Sequence, residues 1–366
     1  MMSLRWGSVK NALSTSRQWR LLLNKRVILV CVVFIWFAML LFRSSPVEPH
    51  DSEIKLLYRQ ISRTLVKNNF YGHADIYKSM WYFDPRERII TPLEFPFIID
   101  GADVCGPNET QLLLVAVMSL HNKTEQRQAI RQTYGRTARG HFWPGKKLFG
   151  PVKMAFFFGV SNSSRENHII EKEAKLYNDI VQVNFTESYF NLTYKVLMAI
   201  KWAQQYCAKT AFIMKADEDS FIDIPRMTDI LLSINMTNQI YGHFHYDDKV
   251  QRDGKTKVSK DAYPLQRYPP HVKGNIYVMP TPLATRIMLL SQFLPYVNME
   301  DAHITGTLAK ILDVRHYDIP RDQYNPYGGP DVCDFALSRK IAAQQVNASV
   351  AYRIWDAIED PTLCLT

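Results

Sequence analysis

Apolar runs of strand length alternate with helical patterns through the middle of this 366-residue chain. Residues 112–118 are continuously apolar, the mark of a strand buried on both faces. Residues 125–134 follow with helical spacing, capped near Asn122 or Thr124. A strand at 154–158 is closed by Gly159, and a helix over 166–177 and a short strand at 179–183 come next. In the helix predicted over 192–206, Val196, Ala199, Ile200 and Ala203 share one face. A further apolar run, 211–214, ends the series. This alternation predicts an α/β fold, a mostly parallel sheet with helices on both faces. Ligands of such sheets collect at the carboxyl ends of the strands.

The N-terminal region is patterned differently. Its first 26 residues carry Arg5, Lys10, Arg17, Arg20, Lys25 and Arg26 and no acid, and residues 27–42 carry no charge. At about 1.5 Å per residue that run covers roughly 24 Å of a ~30 Å bilayer core. Leu21, Leu22 and Leu23, with snorkelling lysine and arginine, supply the remainder. A cleaved signal peptide is the competing reading, but Arg43 stands where a small-residue cleavage site would fall. The basic flank keeps the N-terminus cytoplasmic. The expected organisation is a cytoplasmic tail (1–26), a transmembrane signal anchor (27–42), a proline-punctuated stem (43–95) and one lumenal domain (96–366).

Charge and cysteine usage agree with that topology. The formal net charge of +9 falls to +3 without the six basic residues of the tail, so no nucleic-acid surface is expected. Sequons stand at Asn108, Asn122, Asn162, Asn184, Asn191, Asn235 and Asn347. Besides Cys31 in the anchor, four cysteines remain, an even number that suits an oxidising compartment. Of the three pairings they allow, Cys105–Cys207 with Cys333–Cys364 is preferred, because the last two lie in one C-terminal segment. Nothing in the sequence bears on oligomeric state.

The candidate chemistry starts at Asp217-Glu218-Asp219, directly after an apolar run. Positions i and i+2 of an extended backbone share a face, so Asp217 and Asp219 can hold a hard divalent cation, and the cation a diphosphate. A solvated turn is the commoner use of such a triplet. Arg127 and Arg131, four apart on a helix, either bracket a diphosphate or form a solvated basic face. Lys215 can offset the clustered carboxylates or touch a phosphate. Residues 187–195 read as a helix start with a sequon, and residues 267–277 as an aromatic loop suited to stacking sugar rings. Glu300 and Asp301 stand at a helix start, where the helix dipole alone favours acids.

In order and spacing these segments resemble the inverting β-1,3-glycosyltransferases, the β-1,3-galactosyltransferase family (glycosyltransferase family 31). The family motifs R-x-x-I-R-x-T-W, E-x-x-x-Y-x-D-I, N-L-T-x-K, K-x-D-D-D-x-F, Y-P-P-Y-x-x-G-x-G-Y and E-D-V-Y-x-G match residues 127–134, 173–180, 191–195, 215–221, 268–277 and 300–306. The resemblance implies a GT-A fold, a Rossmann-like sheet that binds a UDP-sugar with Mn²⁺, in a type II Golgi membrane protein with a lumenal catalytic domain. It assigns Asp217 and Asp219 to the metal and Asp301 to the general base. Arg127, Arg131, Lys215 and Asp217 fall on the nucleotide side, and Tyr268, Gly274, Tyr277 and Glu300 in the donor or acceptor pocket.

Five departures accompany the match. Glu218 replaces the middle Asp, Tyr134 replaces Trp, and Ala302-His303 replace Val and an aromatic residue beside the base. The loop lacks its second glycine, Ile276 preceding Tyr277. Family members often carry a metal-completing His 11 residues before a C-terminal Trp; before Trp355 that position is Gln344, with His316 as a substitute. The expected reaction is metal-dependent transfer of a hexose, galactose first, from UDP to a glycan on lipid or protein in β-1,3 linkage. Alternatives are transfer of N-acetylglucosamine or N-acetylgalactosamine, an inactive glycan-binding or escort protein, and a secreted lectin-like domain.

Overall fold

The computed structural model describes residues 83–365 except 107, 108, 141, 247, 326 and 327. The predicted tail, the anchor and most of the stem lie outside the described residues. Among the described residues no helix is long and apolar enough to cross a membrane.

The predicted alternation forms one side of a mixed sheet. Its strands are β1 (Phe97–Ile99), β2 (Gln111–Met118), β3 (Val152–Val160), β4 (Ile180–Thr186), β5 (Thr210–Asp217), β7 (Gln239–His245), β8 (His271–Pro280) and β9 (Arg315–Asp318). They lie in the order β1-β4-β3-β2-β5-β8-β7-β9. The strands β4, β3, β2 and β5 pair in parallel, whereas β8 pairs antiparallel with both β5 and β7. Six strands therefore run one way, with β1 and β8 reversed. A second small sheet joins β6 (Phe221–Ile222) to β10 (Tyr324–Asn325) and β11 (Ala342–Ala343), in the order β10-β11-β6.

Side-chain alternation sorts the core into two layers. From β2, Leu114, Ala116 and Met118 face α3 (Leu192–Tyr206) and α5 (Thr281–Ser291). The intervening Leu113, Val115 and Val117 face α1 (Thr124–Gln132), α2 (Ser164–Tyr177), α4 (Ile224–Ser233) and α6 (Ala348–Glu359). The four residues predicted to share a face of α3 are all buried in the first layer. Helix starts follow local chemistry: Ser163 caps α2, Asp223 caps α4 and Asn347 caps α6, each accepting a backbone N–H from three residues on. The cap expected near Asn122 or Thr124 is absent; Lys123 begins α1 without a side-chain bond.

Three boundaries move. Gly159 does not end β3; a Cβ there would lie 2.7 Å from the Phe185 carbonyl oxygen, so glycine lets β3 and β4 close together. β5 continues past Met214 through Lys215 to Asp217, because the lysine is buried against carboxylates and does not leave the sheet. Residues 83–95, assigned to the stem, are docked: Arg86 and Ile90 donate backbone hydrogen bonds to Phe293 and Gln292, and Leu93 is in the core. The domain thus reaches back at least to Phe83. Both preferred disulfides are formed, Cys105–Cys207 and Cys333–Cys364.

Candidate active site

The acidic triplet closes β5 beside the end of β2, Asp217 paired with Met118. Half-buried Asp217 and exposed Asp219 line a cavity of about 660 Å³ at the carboxyl ends of these strands. Glu218 tucks against the rim, its Oε2 accepting from Ser119 Oγ at 2.5 Å and from the Leu120 backbone N–H at 2.9 Å. Burial raises its pKa, and those two bonds oppose the rise.

Reversal of β8 brings the second acidic pair to the same place. Lys215 Nζ lies 2.5 Å from Asp217 Oδ1 and 3.7 Å from Glu300 Oε2, and it also donates to the Gly274 carbonyl oxygen. Burial works against the Lys215 charge, but Asp217, Glu300 and Asp301 outweigh it and raise its pKa. Lys215 is thus occupied by carboxylates, the first of the two roles its position suggested. Glu300 is only 3% exposed, takes a hydrogen bond from Tyr277 and is pushed by burial to about 8. Asp301 stays partly open: its Oδ2 accepts from the Gly274 N–H at 3.1 Å and its Oδ1 from the Ala302 N–H at 2.8 Å. A π-helical turn, Ala302–Leu308, starts there, a distortion frequent at functional sites.

Several predicted site residues lie elsewhere. Arg127 is fully buried, gripping Glu173 through Nε at 2.8 Å and Nη2 at 2.6 Å. Arg131 pairs bidentately with Asp179, both bonds at 2.8 Å, and reaches Glu173 at 2.6 Å. The two arginines expected on the nucleotide side are therefore locked to the acids of the 173–180 motif, and neither guanidinium lines the cavity. Arg127 serves the rim indirectly, donating to Ser119 Oγ (3.1 Å) and the Leu120 carbonyl (2.7 Å). Tyr277 and Glu300 are buried supports of Asp301's neighbourhood, not pocket walls. Ala302 and His303 are buried as well, so their substitution changes packing behind Asp301; burial drops His303 to about 3.

The position expected to complete the metal site also shifts. Gln344 is not among the cavity-lining residues; Gln345 is, because its left-handed backbone (φ 59°) turns the chain after β11. His316 Nε2 is engaged with the Thr305 carbonyl at 2.6 Å and does not substitute. Among the described residues no three His, Cys, Asp or Glu side chains are grouped to hold a metal alone. Asp217 and Asp219 nonetheless fit a hard cation that completes its shell with water and substrate phosphate. Asp219 has no ion pair among the described residues, and its charge reaches the buried Tyr134 hydroxyl, which lacks a hydrogen-bond partner.

The far wall was missed by sequence reasoning. Glu187, Ser188, Tyr189, Lys195 and Lys255 all line the cavity. Lys195 is paired with Glu187 at 2.6 Å and donates to the Ser119 carbonyl. Burial first, and then the charges of Asp301 and Asp217, raise the pKa of Tyr189, which lines the cavity together with Asp217 and Asp219. Tyr268 stands near Asp301, and among the described residues its buried hydroxyl has no hydrogen-bond partner. The N-L-T-x-K spelling was the available signal for Lys195; Lys255 had none.

Comparison with known proteins follows the same lines. A galactosyltransferase family model matches residues 125–320. The chain is 31% identical over 293 residues to beta-1,3-galactosyltransferase 5 of Homo sapiens, covering 79% of this chain and 92% of that protein. It is 35% identical over 250 residues to the Gorilla gorilla gorilla protein of the same name (67% and 80% covered). Beta-1,3-galactosyltransferase 1 of Mus musculus is 26% identical over 294 residues (78% and 86% covered). Among solved structures, the WbbM bifunctional glycosyltransferase apo structure overlaps 69% of this chain and 51% of its own at 9% identity, with a TM-score of 0.39, too slight a likeness to argue from. With its acidic triplet at a strand end, its paired acids at the helical turn packed against β8 and these matches, the chain belongs to the β-1,3-galactosyltransferase family, glycosyltransferase family 31.

Proposed function

We propose that this protein transfers galactose from UDP-galactose to a glycan hydroxyl in β-1,3 linkage with inversion, using Asp301 as general base. It would act as a Golgi enzyme anchored through residues 27–42. One observation carries the mechanism: of the adjacent acids Glu300 and Asp301, one is buried and the other is open. Neighbouring carboxylates in unlike surroundings take unlike roles. Glu300, buried against Tyr277 and beside Lys215, stays out of the reaction. Asp301 is held by two backbone N–H groups, one to each oxygen, with lone pairs left for an acceptor hydroxyl.

In the transfer, the acceptor oxygen forms its bond to the anomeric carbon while the carbon–oxygen bond to the diphosphate breaks. Asp301 takes the hydroxyl proton, and UDP leaves with the bonding electrons. No covalent enzyme intermediate is needed. Asp217 and Asp219 would hold Mn²⁺, which supplies positive charge for the departing diphosphate. Lys215 keeps Asp217 and the Glu300–Asp301 pair at fixed separation, so both halves of the site are preorganised. Tyr268, with its unpartnered hydroxyl beside Asp301, is placed to meet the acceptor sugar.

The test is a donor panel. The full chain, expressed in a secretory host, is assayed for UDP release with UDP-galactose, UDP-N-acetylglucosamine and UDP-N-acetylgalactosamine, with Mn²⁺ and with chelator. Metal-dependent turnover with UDP-galactose, and a β-1,3 product by NMR, is expected. Turnover only with an N-acetylated donor would replace the sugar assignment, and folded protein inactive with every donor would overturn the enzyme.

A further inference from the structure

The structure removes every cation first assigned to the diphosphate. Arg127 and Arg131 are locked to Glu173 and Asp179, and Lys215 lies among Asp217, Glu300 and the Gly274 carbonyl. Lys195, on the cavity wall, is paired with Glu187. Yet the site needs a free cation. A divalent metal on two carboxylates is already neutralised by the protein, so the two charges of a bound diphosphate remain to be met.

The loop between β7 and β8, residues 246–270, delivers one. It is knitted from within: Arg252 donates to the carbonyls of Val258, Ser259, Tyr263 and Leu265 at 2.9, 3.2, 2.9 and 2.6 Å. Val258 and Tyr263 anchor it in the core, and Asn298 holds the Lys257 carbonyl at 3.0 Å. A compact loop of this length is usually functional. Beside its Gly254 turn (φ 71°), exposed Lys255 reaches the cavity and lies 4.8 Å over the ring of Tyr189. Among the described residues it has no carboxylate partner.

We propose that Lys255 is the diphosphate-binding cation of the donor site, resting on the Tyr189 ring until the nucleotide arrives. Lys255 and the Tyr189 ring beneath it line the same cavity as Asp217 and Asp219, so Lys255 reaches the diphosphate that those acids hold through the metal, and we assign it to the β-phosphate, the one that leaves with the sugar's bonding electrons. This assignment rests on the nucleotide-sugar reading above. Lysine suits the task as a point charge on a flexible stem.

The test is calorimetric titration of UDP and UMP, with Mn²⁺, into the detergent-solubilised full chain and its Lys255→Met and Lys255→Arg variants. Position 255 is exposed, so Lys255→Met is expected to melt as the wild type does. UDP affinity should fall about tenfold in Lys255→Met, one charge-assisted contact. UMP affinity should change less than threefold, and Lys255→Arg should recover most of the UDP binding. Unchanged UDP affinity in Lys255→Met would overturn the assignment, as would equal losses for UDP and UMP. Wild-type protein that binds neither nucleotide would instead sink the nucleotide-sugar reading itself.

Discussion

Gly274→Ala is the substitution whose effect follows most directly from the geometry. Gly274 donates its N–H to Asp301 Oδ2 at 3.1 Å, and its carbonyl takes a hydrogen bond from Lys215. A Cβ there would sit 3.1 Å from both Cβ and Oδ2 of Asp301 and 3.2 Å from Cγ, where ordinary contact begins at 3.4 Å. The carboxylate must withdraw by a few tenths of an ångström, stretching a 3.1 Å bond toward the limit at which hydrogen bonding fails. A hydrogen bond to a charged group is worth about 1.5–3 kcal/mol, and misplacing a catalytic group by about 1 Å costs roughly a hundredfold. The expected fall in kcat is therefore about ten- to a hundredfold. The donor KM should stay within about threefold, because Asp217 and Asp219 are untouched. The assay is initial-rate UDP release at saturating UDP-galactose, with thermal melting to show an intact fold. A folded variant whose kcat stays within about twofold of wild type would refute the role given to this contact.

Further expectations concern charge and burial. Glu173→Gln leaves Arg127 and Arg131 short of a buried partner and should cost about 3–5 kcal/mol by denaturant unfolding, with UDP affinity of the folded protein unchanged. Lost UDP binding at unchanged stability would restore these arginines to the nucleotide site. Asp219→Asn, at an exposed position, should alter stability by about 0.5 kcal/mol or less while weakening Mn²⁺-dependent UDP binding at least about tenfold. Metal dependence identical to wild type would exclude Asp219 as a ligand. His303, held neutral by burial down to about 3, is protonated near pH 6.5 once unfolded, so its share of stability is complete above that pH and is lost as pH falls. Between pH 7.5 and pH 5 that loss is about 2 kcal/mol; His303→Gln should flatten the acid limb by this amount, and an unaltered limb would contradict it.

The sequence made one half of the sheet legible and hid the other. The runs that became β2, β3 and β5, and the apolar face of α3, obey simple periods because both faces of those strands are covered. β7 reads Gln-Ile-Tyr-Gly-His-Phe-His, with His243 buried and Gln239 and His245 half-buried, and no local pattern announces its pairing with β8 and β9. The acidic triplet and the acid pair were visible as clusters, but their junction depends on β8 running backwards beside β5. Arg127 and Arg131 were correctly seen to share a face; their partners are 46 and 48 residues away, beyond any local signal. Gln344 missed the cavity by one position because the left-handed turn at Gln345 reverses the chain. Lys255 lies in an irregular loop, where spacing carries no information about which side chain reaches a site.

The central claim is that Asp301 takes the acceptor proton, and Asp301→Asn tests it most directly. Asparagine keeps an oxygen to accept from Gly274 or Ala302 but is a very poor base. The measurement is kcat for galactose transfer from UDP-galactose, beside the affinity for UDP. A loss of about 10²–10⁴-fold in kcat with UDP affinity unchanged is predicted. Turnover within about fivefold of wild type would show that the proton goes elsewhere.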